Sequence, residues 1–297
     1  MKSIVALGSL GLLALGGPVK AAEPWEQAVA TAIGKPGTEM PGGVYRIGLP
    51  RSDLHVTLDG VTLKPALALG SWLAFVTHGQ GQAMVMGDLV LTDSEVNPVM
   101  AKLIAGGIEI TALHNHLLRN TPHTMYMHIA GHGDSAALAK TLHEALALSG
   151  TPLSAPSAAS PAAPETIDLD IAALDRIIGR KGKVGGGVYA YGIPRAEAPR
   201  DSGMALPPAM GSAEAINFQP TGGGKAAITG DFVLTAAEVN PVLRALRENG
   251  IEVTALHNHM LDDEPRLFFM HFWANDDAQK LARGIAAALR HVAVAAS

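Results

Sequence analysis

Apolar residues gather in short runs over 44–49, 54–58 and 83–86, interleaved with polar positions in 54–58 and nearly unbroken in 83–86, and Gly, Pro or Asp bounds the runs. Such bounded runs predict short strands. Over 98–105 the apolar residues recur at helical intervals, with Asn97 placed as N-cap, Pro98 at the first helical position and Gly106 as a stop. Thr92 followed by Glu95 offers a competing start of the capping-box kind, which would leave Pro98 inside the helix. Two further strands, 107–116 and 125–130, are joined by the loop "LLRNTPH" and read as a hairpin. An amphipathic stretch over 138–148 ends the series as a helix. Strands, a helix, a hairpin and a helix predict an α+β unit, a mostly antiparallel sheet with two helices.

The series occurs twice. "GDLVLTDSEVNPVM" (87–100) aligns with "GDFVLTAAEVNPVL" (230–243) at ten of fourteen positions, and "GIEITALHNHLL" (107–118) with "GIEVTALHNHML" (250–261) at ten of twelve. Both alignments share an offset of 143 residues, which extends to "MYMHIAGHGD" and "FFMHFWANDD". Upstream, "GGVYRIGLPR" (42–51) matches "GGVYAYGIPR" (186–195) at an offset of 144. A repeat this long is a duplicated domain, not a solenoid. Between the copies lies "TPLSAPSAASPAAPET" (151–166), whose Pro, Ala and Ser content predicts an extended linker. The expected organisation is a first unit over 23–150, the linker, and a second unit over 167–297, packed as a pseudo-dimer.

The most distinctive copied feature is His-Asn-His. On a strand over 107–116, Ile110, Ala112, His114 and His116 share one face. On the next strand Tyr126, His128 and Ala130 share a face, with His132 in phase beyond them. Pairing His114 opposite His128 puts the turn near Thr121 and brings His114, His116 and His128 together. His257, His259 and His271 repeat the arrangement, but position 275 is Asn where the first unit has His132. Two imidazoles projecting the same way from a strand are a chelating arrangement, so His114, His116, His128, His132, His257, His259 and His271 are candidate metal ligands. The competing explanation is a set of core histidines bonded to backbone carbonyls and duplicated with the fold.

Other residues modify this picture. Glu95 and Glu238, in the copied "EVNP", fit either a general base acting on metal-bound water or a helix cap. Asp88 and Asp231, in the copied "GD", read as turn residues at strand ends. Met125, Met127, Met260 and Met270 lie near the histidines in sequence. Thioethers would suit Cu(I), but Met127 and Met270 alternate away from His128 and His271, so zinc ranks ahead of copper. "TGGGKAA" (221–227) lacks the spacing of a phosphate loop and reads as a turn.

The start, "MKSIVALGSLGLLALGGPVKAAEP", has an early lysine, an apolar run over 4–15 and small residues near 19–22, which predicts a cleaved export signal over 1–22. That run is short for a membrane span. The chain carries 22 basic and 27 acidic residues, and loss of 1–22 removes only Lys2 and Lys20, leaving a formal charge of −7. An acidic mature chain argues against nucleic-acid binding. The absence of cysteine excludes disulfides, thiolate ligands and a cysteine nucleophile.

At "GGVYRIGLPRSDLHVTLDG", "LALGSW", "MVMGDLVLTDSEVNPVM", "GIEITALHNHLL" and "MHFWANDD" the chain resembles the LppY/LpqO-type family of secreted bacterial proteins. The resemblance covers nearly the whole mature chain, including the tandem arrangement. It implies export and the domain boundaries; as a domain of unknown function, the family supplies no catalytic residues. Some of its members are lipoproteins, whereas this chain has no cysteine to acylate. The expectation is an exported, periplasmic or extracellular protein that binds a divalent metal ion through paired histidine sites. The alternatives are a metal-dependent hydrolase or lyase with a glutamate base, and a cell-envelope binding module whose histidines are structural.

Overall fold

A computed structural model describes residues 22–79, 81–154 and 165–296. The predicted export signal, apart from Ala22, and the central part of the predicted linker, 155–164, lie outside the described residues.

Each unit is built on one six-stranded antiparallel sheet with its long helices on one face; the short helix Pro65–Ala68 of the first unit lies against the second unit's sheet. In the first, the strand order is Thr38–Met40, Val44–Pro50, Gly70–Gly79, Gln82–Thr92, Thr124–Asp134, Glu109–His114. The second repeats that order with Lys183–Gly185, Val188–Pro194, Ala213–Gly222, Lys225–Thr235, Leu267–Asp277 and Glu252–His257. The α+β class and the tandem arrangement therefore hold. Besides the two helices expected in each unit, a third opens it, Pro24–Ile33 in the first and Ile171–Ile178 in the second. It packs on the closing helix, Ser135–Leu146 or Ala278–Leu289.

The central strand Gln82–Thr92 is longer than the predicted 83–86 and is apolar on both faces. Its odd positions, among them Val85, Leu89 and Leu91, join Met127 and Ile129 under the helices. Its even positions, Met84, Met86 and Val90, face the other way, into clusters that contain residues of both units. Val90 and Tyr126 share one such cluster with Ala227 and Trp273, while Met84 and Met86 share another with Val233 and Phe269. The two sheets thus pack face to face, giving layers in the order helices, sheet, sheet, helices. Burial on both faces explains why the strand reads as a nearly unbroken apolar run.

Gly87 and Gly230 precede the aspartates for a steric reason. A Cβ on Gly230 would lie 1.8 Å from the Ala215 carbonyl oxygen, and one on Gly87 would lie 2.8 Å from that of Trp72. The copied "GD" is therefore a close approach of neighbouring strands, not a turn.

The second helix starts where the capping box placed it. It spans Asp93–Ala105 with Thr92 as N-cap, and Pro98 lies inside it, so the alternative start at Asn97 is not the one taken. The expected strand over 54–58 shrinks to Thr57–Leu58, paired with Val61–Thr62. The histidine hairpin forms, in a shifted register: Ala112 pairs with His128 and His114 with Tyr126, after an irregularity between Ile110 and Ala112. Beyond the irregularity the shift from the expected His114–His128 pairing is two residues, so Ala112 and His114 keep their face, whereas Ile110, before it, turns to the helix side instead of sharing that face.

Contacts between units are numerous. Gln219 and the Thr62–Lys64 backbone exchange two hydrogen bonds of 2.8 Å. The Arg119 guanidinium bridges Asp59 and Glu252. At the hairpins, Thr254 Oγ1 donates to the His116 carbonyl at 2.5 Å, and Asn115 Nδ2 donates to that of Thr254 at 3.0 Å. No helix among the described residues is long and apolar enough to cross a membrane.

Candidate metal centre

The histidines of both units meet between the sheets. His128 and His271 stand mid-strand on the faces that pack together, and His114 and His257 end the neighbouring edge strands. His116 and His259 follow two residues beyond those ends. The 143-residue offset exchanges His114 with His257, His116 with His259 and His128 with His271. Their rings obey the same exchange: His114 stacks on His257 with centroids 3.5 Å apart, His116 on His271 at 3.7 Å, and His128 on His259 at 3.6 Å. One chamber on a pseudo-twofold axis thus replaces two separate sites.

Two aspartates complete it. Asp88 is paired in register with His128, and Asp231 with His271, so each carboxylate projects toward the imidazoles of its own unit. Asp88 lies 3.6 Å from His116 Nε2 and 3.8 Å from His128 Nε2, and Asp231 lies 3.7 Å from His259 Nε2 and 3.9 Å from His271 Nδ1. These separations exceed a hydrogen bond. Sequence reasoning assigned both aspartates to turns. The signal that could have found them is an acid inside an apolar run flanked by "AMVM" and "LVL".

The chamber concentrates unsatisfied polar atoms. Buried atoms without a hydrogen-bond partner include both ring nitrogens of His114, Nε2 of His116, His128 and His271, Nδ1 of His257, and Oδ1 of Asp88 and Asp231. Buried polar groups are nearly always paired, so such a gathering needs a cause. His271 Nδ1 donates to the Gly230 carbonyl at 2.8 Å, which leaves its Nε2 as a bare lone pair. His259 Nε2 lies 2.9 Å from His257 Nε2.

Burial sets the protonation states. It holds the imidazoles of His114, His128 and His271 down to about 2, 3 and 4, with the neighbouring histidines adding to the effect for His114 and His128 and the Gly230 carbonyl opposing it for His271. His116, His257 and His259 are lowered by burial and then by their neighbours' charge. Burial raises Asp88 to about 8 against the pull of Arg46, and raises Asp231 well above the ordinary carboxylate range. Neutral imidazoles are the form in which histidine binds metal.

Four groups bring their potential ligand atoms within 4.8 Å of one another: His114, His128, His257 and His259; His114, His116 and His271; Asp88, His116 and His128; and Asp231, His259 and His271. Imidazole with carboxylate suits zinc and also copper(II) or iron(II). The methionines take no part. Met125, Met127 and Met270 pack beneath the helices, and Met260 packs between the sheets.

Three predicted site residues lie elsewhere. His132 is in phase with His128 but exposed, and four residues along a strand carry it roughly 13 Å away. Glu95 accepts from the Thr92 and Gly150 backbones and from Arg51, so both oxygens are engaged away from the histidines. Glu238 is held likewise by Thr235, Ala293 and Arg195. Burial pushes both glutamates up, but the arginine and backbone donors outweigh it and hold them below the ordinary value. They are helix caps and ion-pair partners.

Two stretches of the chain, 27–148 and 172–291, match the profile of the family described as Domain of Unknown Function (DUF1259). The chain belongs to that family. Each DUF1259 copy contains one complete His-Asn-His hairpin and one aspartate of the chamber. No curated protein matches the chain. Among solved structures, the DUF1259 pair is similar to a trimeric bacterial microcompartment shell protein, PduB, at 14% identity, covering 84% of this chain and 88% of that one with a TM-score of 0.20. It is also similar to EtuB from Clostridium kluyveri at 10% identity, covering 86% and 89% with a TM-score of 0.20.

Proposed function

We propose that this protein is an exported metal-binding protein that holds a divalent transition-metal ion, zinc ahead of copper, in the chamber between its two DUF1259 repeats. The observation that carries the reading is the convergence of buried ring nitrogens and carboxylate oxygens that have no hydrogen-bond partner. Histidines kept for structure would be bonded to backbone carbonyls, and among the six only His271 has such a bond to its ring. The low proton affinity of the imidazoles favours the same reading, because a cation displaces no proton from those rings near neutral pH. Export rests on the leader over 1–22 and on the likeness to the secreted LppY/LpqO-type proteins.

A metal-dependent hydrolase or lyase is the second reading. It is favoured by the partial exposure of His114, His116 and His257, the three histidines of the chamber that are not fully buried. In that case Asp88 and Asp231, not Glu95 and Glu238, are the carboxylates within reach.

The test is elemental analysis of untagged protein purified from the periplasmic fraction, beside a His114→Ala/His257→Ala variant. Wild type is expected to retain zinc or copper after dialysis, to begin near residue 23, and to lose the metal in the variant. Wild type that neither retains metal nor binds it on titration overturns the reading.

A further inference from the structure

We infer that the chamber takes two cations, one on each side of the pseudo-twofold axis, each held by an aspartate together with the histidines of its own repeat. The inference rests on the metal-binding reading above and adds the number of ions and the two carboxylates as ligands.

Symmetry restricts where ions can sit. An ion on the axis would need ligands that the 143-residue offset maps onto themselves. None of the four ligand groups does so. The group Asp88, His116, His128 maps onto Asp231, His259, His271, and the group with four histidines maps onto one that contains His114, His116 and His271. Moreover, His114 and His257, the pair that straddles the axis, stack at 3.5 Å, so ring atoms already fill the space between them. Ion positions therefore come in pairs away from the axis.

Only one pair can be filled at once. The group of four histidines and its counterpart both draw on His114, and each residue offers one ligand atom. The two aspartate groups share no residue. They also use the oxygens that the histidine groups leave without partners, Oδ1 of Asp88 and of Asp231.

The remaining histidines divide by distance. His114 has ring centroids of its own repeat, His116 and His128, at 5.0 and 5.1 Å, closer than His259 and His271 of the other repeat at 5.7 and 5.6 Å. His257 has His259 and His271 at 4.9 Å each and His128 at 6.4 Å. One repeat then offers Asp88, His116 and His128, with His114 beside them, and the other offers Asp231, His259 and His271, with His257 beside them. Two imidazoles and one carboxylate give each ion three protein ligands and leave a fourth position open, a set zinc takes. Two divalent cations against two carboxylates leave positive charge in a poorly hydrated space, so the filled chamber also takes a small anion from solvent, hydroxide being the simplest.

Native mass spectrometry of the untagged full chain, loaded with zinc and dialysed against a weak chelator, counts the ions. Wild type is expected to carry two zinc ions, and Asp88→Asn and Asp231→Asn one each. One ion in wild type, kept by both variants, overturns the inference and leaves the metal-binding reading standing. Two ions kept in both variants overturn the carboxylate assignment. No zinc in wild type removes the reading and the inference together. Should the variants fail to fold by circular dichroism, a cobalt(II) titration of wild type decides alone. Visible absorption that rises to two equivalents supports the inference, and saturation at one overturns it.

Discussion

Arg51 shows how the chain spends its buried charge. Its guanidinium is 1% exposed, lies between Asp53 and Glu95, and donates to the Val90 carbonyl at 2.6 Å. Arg195 does the same work in the second unit, on Glu238 and the Val233 carbonyl. Both arginines anchor the end of a doubly buried strand to the helix that follows it. Removing one takes the counter-charge from a part-buried carboxylate and the side-chain donor from a buried carbonyl, so Arg51→Ala is expected to cost about 3 kcal/mol in denaturant unfolding. Arg51→Lys should recover little of it, because a single ammonium cannot meet Asp53, Glu95 and a carbonyl at once. A loss under about 1 kcal/mol, the size of an exposed pair, would contradict this account. The same residue-level logic separates Glu95 from Asp88: every oxygen of the glutamate is bonded, whereas an oxygen of the aspartate faces imidazoles without a bond.

At the scale of elements, each glutamate ties a helix start to an arginine and to the segment after the closing helix. Both are depressed below the ordinary value, so the folded state releases their protons more readily than the unfolded chain does. Their stabilisation is complete above the unfolded value of about 4.3 and is lost as pH falls through the lower folded value. Thermal melts are therefore expected to show an acid-side loss of stability beginning near pH 5, and Glu95→Gln/Glu238→Gln should flatten it. An unchanged acid limb would refute the assignment.

The sequence made the hairpin and its histidine face readable, because a period of two survives a register shift of two. The register itself was not readable, since it depends on the irregularity before Ala112. Nor was the role of Asp88. A "GD" pair has the composition of a turn, and only the strand packed against Gly87 shows that the chain runs straight through it. His132 misled for a related reason: phase on a strand says which face a residue takes, and nothing about distance along it.

At the scale of the molecule, the two sheets form one interior. A cation bound between them holds both units, so it should stabilise the whole protein and not one half. Zinc at a hundredfold excess over its dissociation constant is expected to add about 2.7 kcal/mol, seen by calorimetry as one transition moving upward and returning on chelation. Two transitions, of which zinc moves only one, would contradict a shared chamber.

The pairing of equivalent rings on the axis bears on how the duplication could age. A second copy of a domain is ordinarily a spare, at liberty to drift while the first keeps working. Here His114 lies against its own counterpart, and His116 and His128 lie against the counterparts of each other. A change in either copy meets an unchanged neighbour across the axis, so neither copy is spare. The outer surface carries no such restraint: Ala101 and Ile104 face solvent where the second copy has Arg244 and Arg247. The chain keeps one twice-written set of histidines and aspartates while the residues around it diverge, and Thr-Ala-Leu-His-Asn-His stands unaltered at both places.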